Sequence, residues 1–144
     1  MRHFSLIPEG GKFIYLILYT YHMCDINFHE KISAAREEAE LGNVGMMNAY
    51  LSVIEKYSNE EFSDELKDIK MLGYEEVIPI KLFHAIEEAK SGRLDKMHLD
   101  LNYAEFYAKK IDKDISNEIA KIKTIGQNVD RIKNISSFFE TYLV

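Results

Sequence analysis

Three groups of side chains in this 144-residue chain have types and spacings that could do chemistry. The first is a pair of adjacent carboxylates, Glu37/Glu38, that recurs as Glu87/Glu88. Both pairs fall toward the C-terminal part of a predicted helix, where the helix dipole disfavours negative charge. Salt bridges to a lysine or arginine of a neighbouring helix are the simplest compensation. A carboxylate metal cluster of the bundle type would use a Glu-x-x-His spacing that the chain lacks, and a surface for a basic partner is a third reading. The second group is His84, four residues before Glu88, with His98 on the next predicted helix. His84 and Glu88 could hold zinc or nickel if His98 or Glu87 joined them. The equivalent positions fifty residues earlier are Ala34 and Asn48, so ordinary surface histidines are expected. The third group is His22, Cys24, Asp25 and His29. Its types suit a borderline metal but its spacing matches no known site, and Cys24 has nothing to activate it as a nucleophile beyond a nearby histidine. Phosphate-binding glycine loops, Ser/His/Asp orders and zinc-protease helices do not occur. The expectation is therefore no catalytic residue, no metal and no cofactor.

Aromatic residues offer a different kind of chemistry. Tyr50, Tyr57, Tyr103, Phe106 and Tyr107 give two predicted helices an aromatic character. Most of this serves packing, but tyrosines left exposed supply contact area at little entropic cost. Tyr50, Tyr57, Tyr103 and Tyr107, with Glu37, Glu38, Glu87 and Glu88, are the candidate partner-binding residues. Lys109, Lys110, Lys113, Lys121, Lys123, Arg131 and Lys133 are interleaved with Asp112, Asp114, Glu118 and Asp130, which reads as a solvated face rather than a nucleic-acid patch.

The composition sets the frame. With 47% hydrophobic and 29% charged residues the chain fits one globular domain that can bury a core. A single cysteine excludes an internal disulfide and suits a reducing, cytoplasmic compartment. A net charge of −6 disfavours nucleic-acid and anionic-membrane partners. Residues 25–77 carry 13 acidic and 5 basic side chains, against 10 and 11 in residues 78–144, so charge could orient a partner or favour self-association.

Residues 1–24 read as a separate N-terminal extension. Residues 3–7 and 12–18 are aromatic and β-branched, and Pro8 to Gly11 between them have turn chemistry, which suggests a β-hairpin. The uncharged run Phe13–Cys24 is too short to span a bilayer and lacks a signal-peptide cleavage pattern. The composition break at Met23 is compatible with a natural start there.

An internal repeat dominates residues 25–144, which read as a single helical domain. Lys31–Tyr57 and Lys81–Tyr107 align without gaps and share ten of 27 positions. Phe62–Gly73 aligns with Ile115–Gly126 after a three-residue insertion. A period near fifty implies stacked supersecondary units, here three helices each over 28–73 and 78–126. Helix A of the first unit starts near Asn27, with Glu30 in capping-box spacing, and ends at Gly42. Helix B places Val44, Met47, Leu51, Ile54 and Tyr57 on one stripe. Helix C starts at Ser63 and ends at Gly73. In the second unit Pro79 sits near a first turn, Gly92 and Gly126 end helices, and Ser116 caps the last one. Residues 127–144 form a cap in which Val129, Ile132, Ile135, Phe139 and Tyr142 would cover the open end of the stack.

The run Glu38–Val44 with Met47, Leu51 and Ile54, and its echo at Gly92, Met97, Leu101 and Ala104, resembles the helix-turn-helix of tetratricopeptide-like repeats. The resemblance covers the A/B turn and helix B of each unit; the fifty-residue period, the third helix and the two methionines depart from that family. It implies an α-solenoid-like scaffold that binds proteins or peptides, and carries no catalytic residue with it. The chain thus reads as an all-α, non-enzymatic interaction module. A self-assembling structural protein is the alternative, and a metal-dependent enzyme using the helix carboxylates the third reading.

Overall fold

A computed structural model describes residues 28–143. The predicted hairpin, the candidate start at Met23, the Asn27 cap, and His22, Cys24 and Asp25 lie outside them. Among the described residues the chain is all-helical: α1 (28–40), α2 (Val44–Tyr57), α3 (Ser63–Lys90), α4 (Leu94–Lys110) and α5 (Ser116–Leu143), with a 3-10 turn at Glu60–Phe62 before α3. No helix among them is long and apolar enough to cross a membrane.

The predicted stripes are the buried ones. Ile32, Ala35 and Ala39 of α1 and Val44, Met47, Leu51 and Ile54 of α2 pack with Leu66, Ile69 and Val77 of α3 into one core. Ala85 and Ala89 of α3 with Met97 and Leu101 of α4 and Ile122 of α5 make a second, and Ile78, Ala104, Ala108 and Ile115 a third. Tyr57, at the end of its stripe, is exposed.

The helix count differs from expectation. The predicted helix C of the first unit and helix A of the second are one 28-residue helix, α3, with Pro79 inside it rather than in a first turn. Proline removes one backbone N–H and crowds the preceding turn, at a cost of about 3 kcal/mol in a helix interior. Packing on both sides of Pro79 offsets it. Of the buried residues before it, Leu66, Ile69, Gly73 and Val77 face the first core, and Ile78 faces the third from the side that Ala85 and Ala89 share. Ala85 and Ala89 after it face the second. At about 100° per residue these two faces lie more than a third of a turn apart. So α3 is one rod shared by all three cores, and it packs against α2, α4 and α5.

Gly73 and Gly126 do not end helices either. Both are buried inside their helices, and each faces the methionine of the preceding one. A Cβ at Gly73 would fall on the Met47 sulfur; at Gly126 it would lie 2.7 Å from Met97 Sδ and 2.9 Å from Leu94 Cδ2. Glycine is there because a long thioether occupies the space of its missing side chain. The serines also differ in role. Phe62 precedes α3 with no side-chain cap, and the Ser116 N–H donates to Asp114 Oδ1 at 2.9 Å, so an Asx turn starts α5. Hydrogen bonding by Ser116, from its side chain first and its backbone N–H second, holds the Asp114 carboxyl below its usual range.

Gly42 and Gly92 do end α1 and α3, in the left-handed conformation, with φ of +71° and +72°. The two turns match in detail. Asn43 N–H donates to Glu38 O and Arg93 N–H to Glu88 O, both at 2.9 Å. Asn43 and Arg93, which follow, have backbone angles of −85°, 75° and −89°, 75°.

Two glycines on helices generate opposite expectations. Gly73→Ala overpacks Met47 and should destabilise by about 1–3 kcal/mol in urea unfolding. Gly45 is exposed on α2 with no neighbour near its Cα face, so Gly45→Ala should stabilise by about 0.8–1 kcal/mol through helix propensity alone. Equal shifts from the two would sink the interlock.

Candidate functional site

The outer face of α4 carries the densest exposed aromatic surface of the central helices. Met97, Leu101, Ala104 and Ala108 turn inward at helical spacing and are buried. That leaves Leu99, Tyr103 and Phe106, at i, i+4 and i+7, on the opposite side as one ridge, each about half exposed. Two lysines lie over the ridge aromatics. Lys81 Nζ of α3 sits 5.1 Å from the Tyr103 ring centre, and Lys110 Nζ 5.1 Å from that of Phe106. Cation–π contacts of this kind place the ammonium groups beside the rings, where they can donate to a carboxylate. The ridge can hold an apolar side chain flanked by negative charge, and holds no group placed for bond-making.

The four candidate tyrosines divide. Tyr103 and Tyr57 are exposed, Tyr57 beside Lys56 at 5.2 Å from its ring centre. Tyr50 and Tyr107 are only partly buried and belong to the interior contacts. Tyr107 touches both the first and third cores, stacks on Tyr74 at 5.6 Å, and meets Phe106 edge-on at 5.3 Å. It is a joint between cores that also backs the ridge. Burial, with Tyr103 and Tyr74 nearby, raises its phenol pKa above the usual range.

The carboxylate pairs do not form one cluster. Glu88 pairs with Arg93 across the α3–α4 turn, and Glu87 lies 3.9 Å from Lys90 in the same helix. The compensation is thus local, not from a neighbouring helix as expected. Glu37 and Glu38 take part in no ion pair among the described residues; the interhelical pairs are Arg36–Glu65 at 2.9 Å and Lys70–Glu55 at 2.6 Å. The reason is positional. The turn residue after the glycine is Arg93 in one case and Asn43 in the other, so only Glu88 finds a cation there.

His84 and His98 are both exposed, and Glu88, the expected partner of His84 as a ligand, is engaged by Arg93. His29 lies against the Phe62 ring at 6.2 Å. Among the described residues no three His, Cys, Asp or Glu side chains converge on a point. Of the basic residues, Lys133 donates to Ser91 O at 3.1 Å and Lys109 pairs with Glu105 at 3.2 Å. Leu99 was missed in the sequence because periodicity was read for the buried stripe; the complementary i, i+4, i+7 set on the other face was equally legible.

The Arg93 hydrogen bond lowers the Glu88 pKa most; burial opposes it, and the charges of Arg93, Lys96 and His84, each a smaller effect than burial, lower it further. A depressed carboxylate pKa stabilises the fold above the unfolded value, and that contribution disappears as pH falls through the folded value. A carboxyl-detected NMR titration should place Glu88 below ordinary glutamates, and Arg93→Ala should return it to their range. An unchanged midpoint in the variant would refute the pairing. No family model, curated protein or solved structure matches the chain, so the residues themselves carry the functional reading.

Proposed function

We propose that the chain is a non-enzymatic interaction module, built of two tetratricopeptide-like helical units, that binds a protein or peptide on the outer ridge of α4. The observation that carries this reading is the ridge itself: Leu99, Tyr103 and Phe106 exposed in line, with Lys81 and Lys110 over the rings. Aromatic anchors of this type dominate binding energy in protein interfaces. A ligand segment with apolar residues at helical or extended spacing and a carboxylate at either end matches the ridge in both polarity and charge.

Three features support the two-unit architecture. The glycine turns after α1 and α3 have the same geometry, the Met–Gly contact occurs twice, and the buried alanine pairs Ala35/Ala39 and Ala85/Ala89 are equally spaced. A scaffold of stacked helices holds its outward ridges in fixed orientation, so the binding side chains need little ordering.

The test uses partners captured by the full-length chain from its own cell extract and verified with purified components. Tyr103→Ala and Phe106→Ala should each weaken binding by roughly ten-fold or more, as truncation of a central anchor costs about 1–4 kcal/mol, with helical content and unfolding midpoint nearly unchanged. Retained affinity in the double variant would show that the ridge is not the binding surface.

A further inference from the structure

The second half of α5 repeats the two-faced design of α3 and leaves its second face bare. Ile122 and Gly126 turn the first half inward, as does Ile115 just before it, and Lys133 reaches Ser91 O from the same side. Ile132, Ile135, Phe139 and Tyr142 then lie roughly half a turn round the helix from that side, at about 100° per residue. They do not cover the end of the stack as the sequence suggested: Ile132 is 63% and Tyr142 71% exposed, and every described side chain from Arg131 to Tyr142 is exposed. In α3 the corresponding turn of face presents Ala85 and Ala89 to α4 at close range. The α5 face bears large aromatics instead, so it is not shaped to receive another closely packed unit of this kind.

We infer that this face pairs with the same face of a second copy, the two α5 helices running antiparallel. The spacing 132, 135, 139, 142 is the 3-4-3 alternation of a coiled-coil seam. In the antiparallel register Ile132 meets the second copy's Tyr142, and Ile135 meets its Phe139. Each of the four layers therefore sets a β-branched aliphatic against an aromatic, which fills space evenly. A parallel pair would put Tyr142 on Tyr142 and Arg131 beside Arg131. The antiparallel one carries Arg131 to the last turn of the opposite helix, where the dipole favours a cation. Acidic residues do not interrupt the seam: Asp130 and Glu140 lie on other sides of the helix.

Residues 1–27 of the same chain are a poor alternative cover. Phe28 packs on Phe62 at one end of α3, and Lys133 contacts Ser91 at the other. The 28 residues of α3 at ~1.5 Å each put these points about 40 Å apart. Bridging that gap takes about twelve residues even fully extended, which uses most of the uncharged run Phe13–Cys24 as tether.

Sedimentation equilibrium on the full-length chain, from about 1 μM to several hundred μM, tests the pairing; a seam of four layers falls at the small end of stable interfaces, so a reversible dimer in the micromolar range is expected. Ile135→Glu and Phe139→Glu should each weaken it at least ten-fold with helical content intact, while Phe83→Glu, on the exposed side of α3, leaves it unchanged. In a Cys24→Ser background, an equimolar mixture of Ile135→Cys and Phe139→Cys chains should give the mixed product of a short bismaleimide in well over the two-fold statistical excess over either homodimer. A chain that stays monomeric throughout, a dimer indifferent to Phe139→Glu, a mixed product no greater than that statistical excess, or a monomer that binds acidic phospholipid vesicles through the same residues would overturn the proposal.

Discussion

The close approach of a methionine to a helical glycine sets the spacing of the whole molecule. Met47 fills the place of a side chain at Gly73, and Met97 does the same at Gly126. Both methionines are among the largest fully buried side chains. A thioether is long and adaptable enough to lie along a neighbouring helix, and glycine lets that helix come near. Two buried alanines, Ala35 and Ala39 in one core and Ala85 and Ala89 in the other, let the third helix of each group close in as well. The small residues cost helix propensity, roughly 1 kcal/mol for each interior glycine, and the close packing they permit outweighs that cost.

From this spacing follows the role of α3. Its buried residues up to Val77 belong to one core and Ile78, Ala85 and Ala89 to the other two, so unfolding one end exposes surface on a helix that continues into the rest. Tyr107 and Tyr74 couple the cores a second time by stacking across them. A chain organised in this way presents rigid outward ridges, and those ridges, rather than a cleft, hold the exposed aromatic side chains of α4 and α5.

Much of the interior was legible in the amino-acid order. The stripes Val44, Met47, Leu51, Ile54 and Met97, Leu101, Ala104 have helical period, and the glycines after α1 and α3 sit where a left-handed residue must stop a helix. Harder to read were glycines whose role is contact. Gly42 and Gly73 are the same residue in similar sequence surroundings, yet one has φ of +71° and the other is buried mid-helix against a sulfur. Nothing local distinguishes a glycine needed for backbone freedom from one needed for space. The same ambiguity divided α3 at Gly73 and Pro79 and α5 at Gly126, where the chain in fact runs on. The surface readings were mixed for a related cause: Tyr103 and Tyr107 are four apart on one helix, but α3 stacks Tyr74 on Tyr107 and sends only the Lys81 ammonium over Tyr103, so one stays half exposed and the other joins two cores.

What the sequence by itself determined is the helical class, the duplicated segments, the glycine turns and the inward stripes, because each is encoded within a few residues by period and backbone preference. Tertiary structure alone decided that two predicted pairs of helices are continuous rods, and which apolar face of α5 is left open. Those outcomes depend on which helix lies beside which, and on the distance between them, and neither quantity is written in the order of residues along one element.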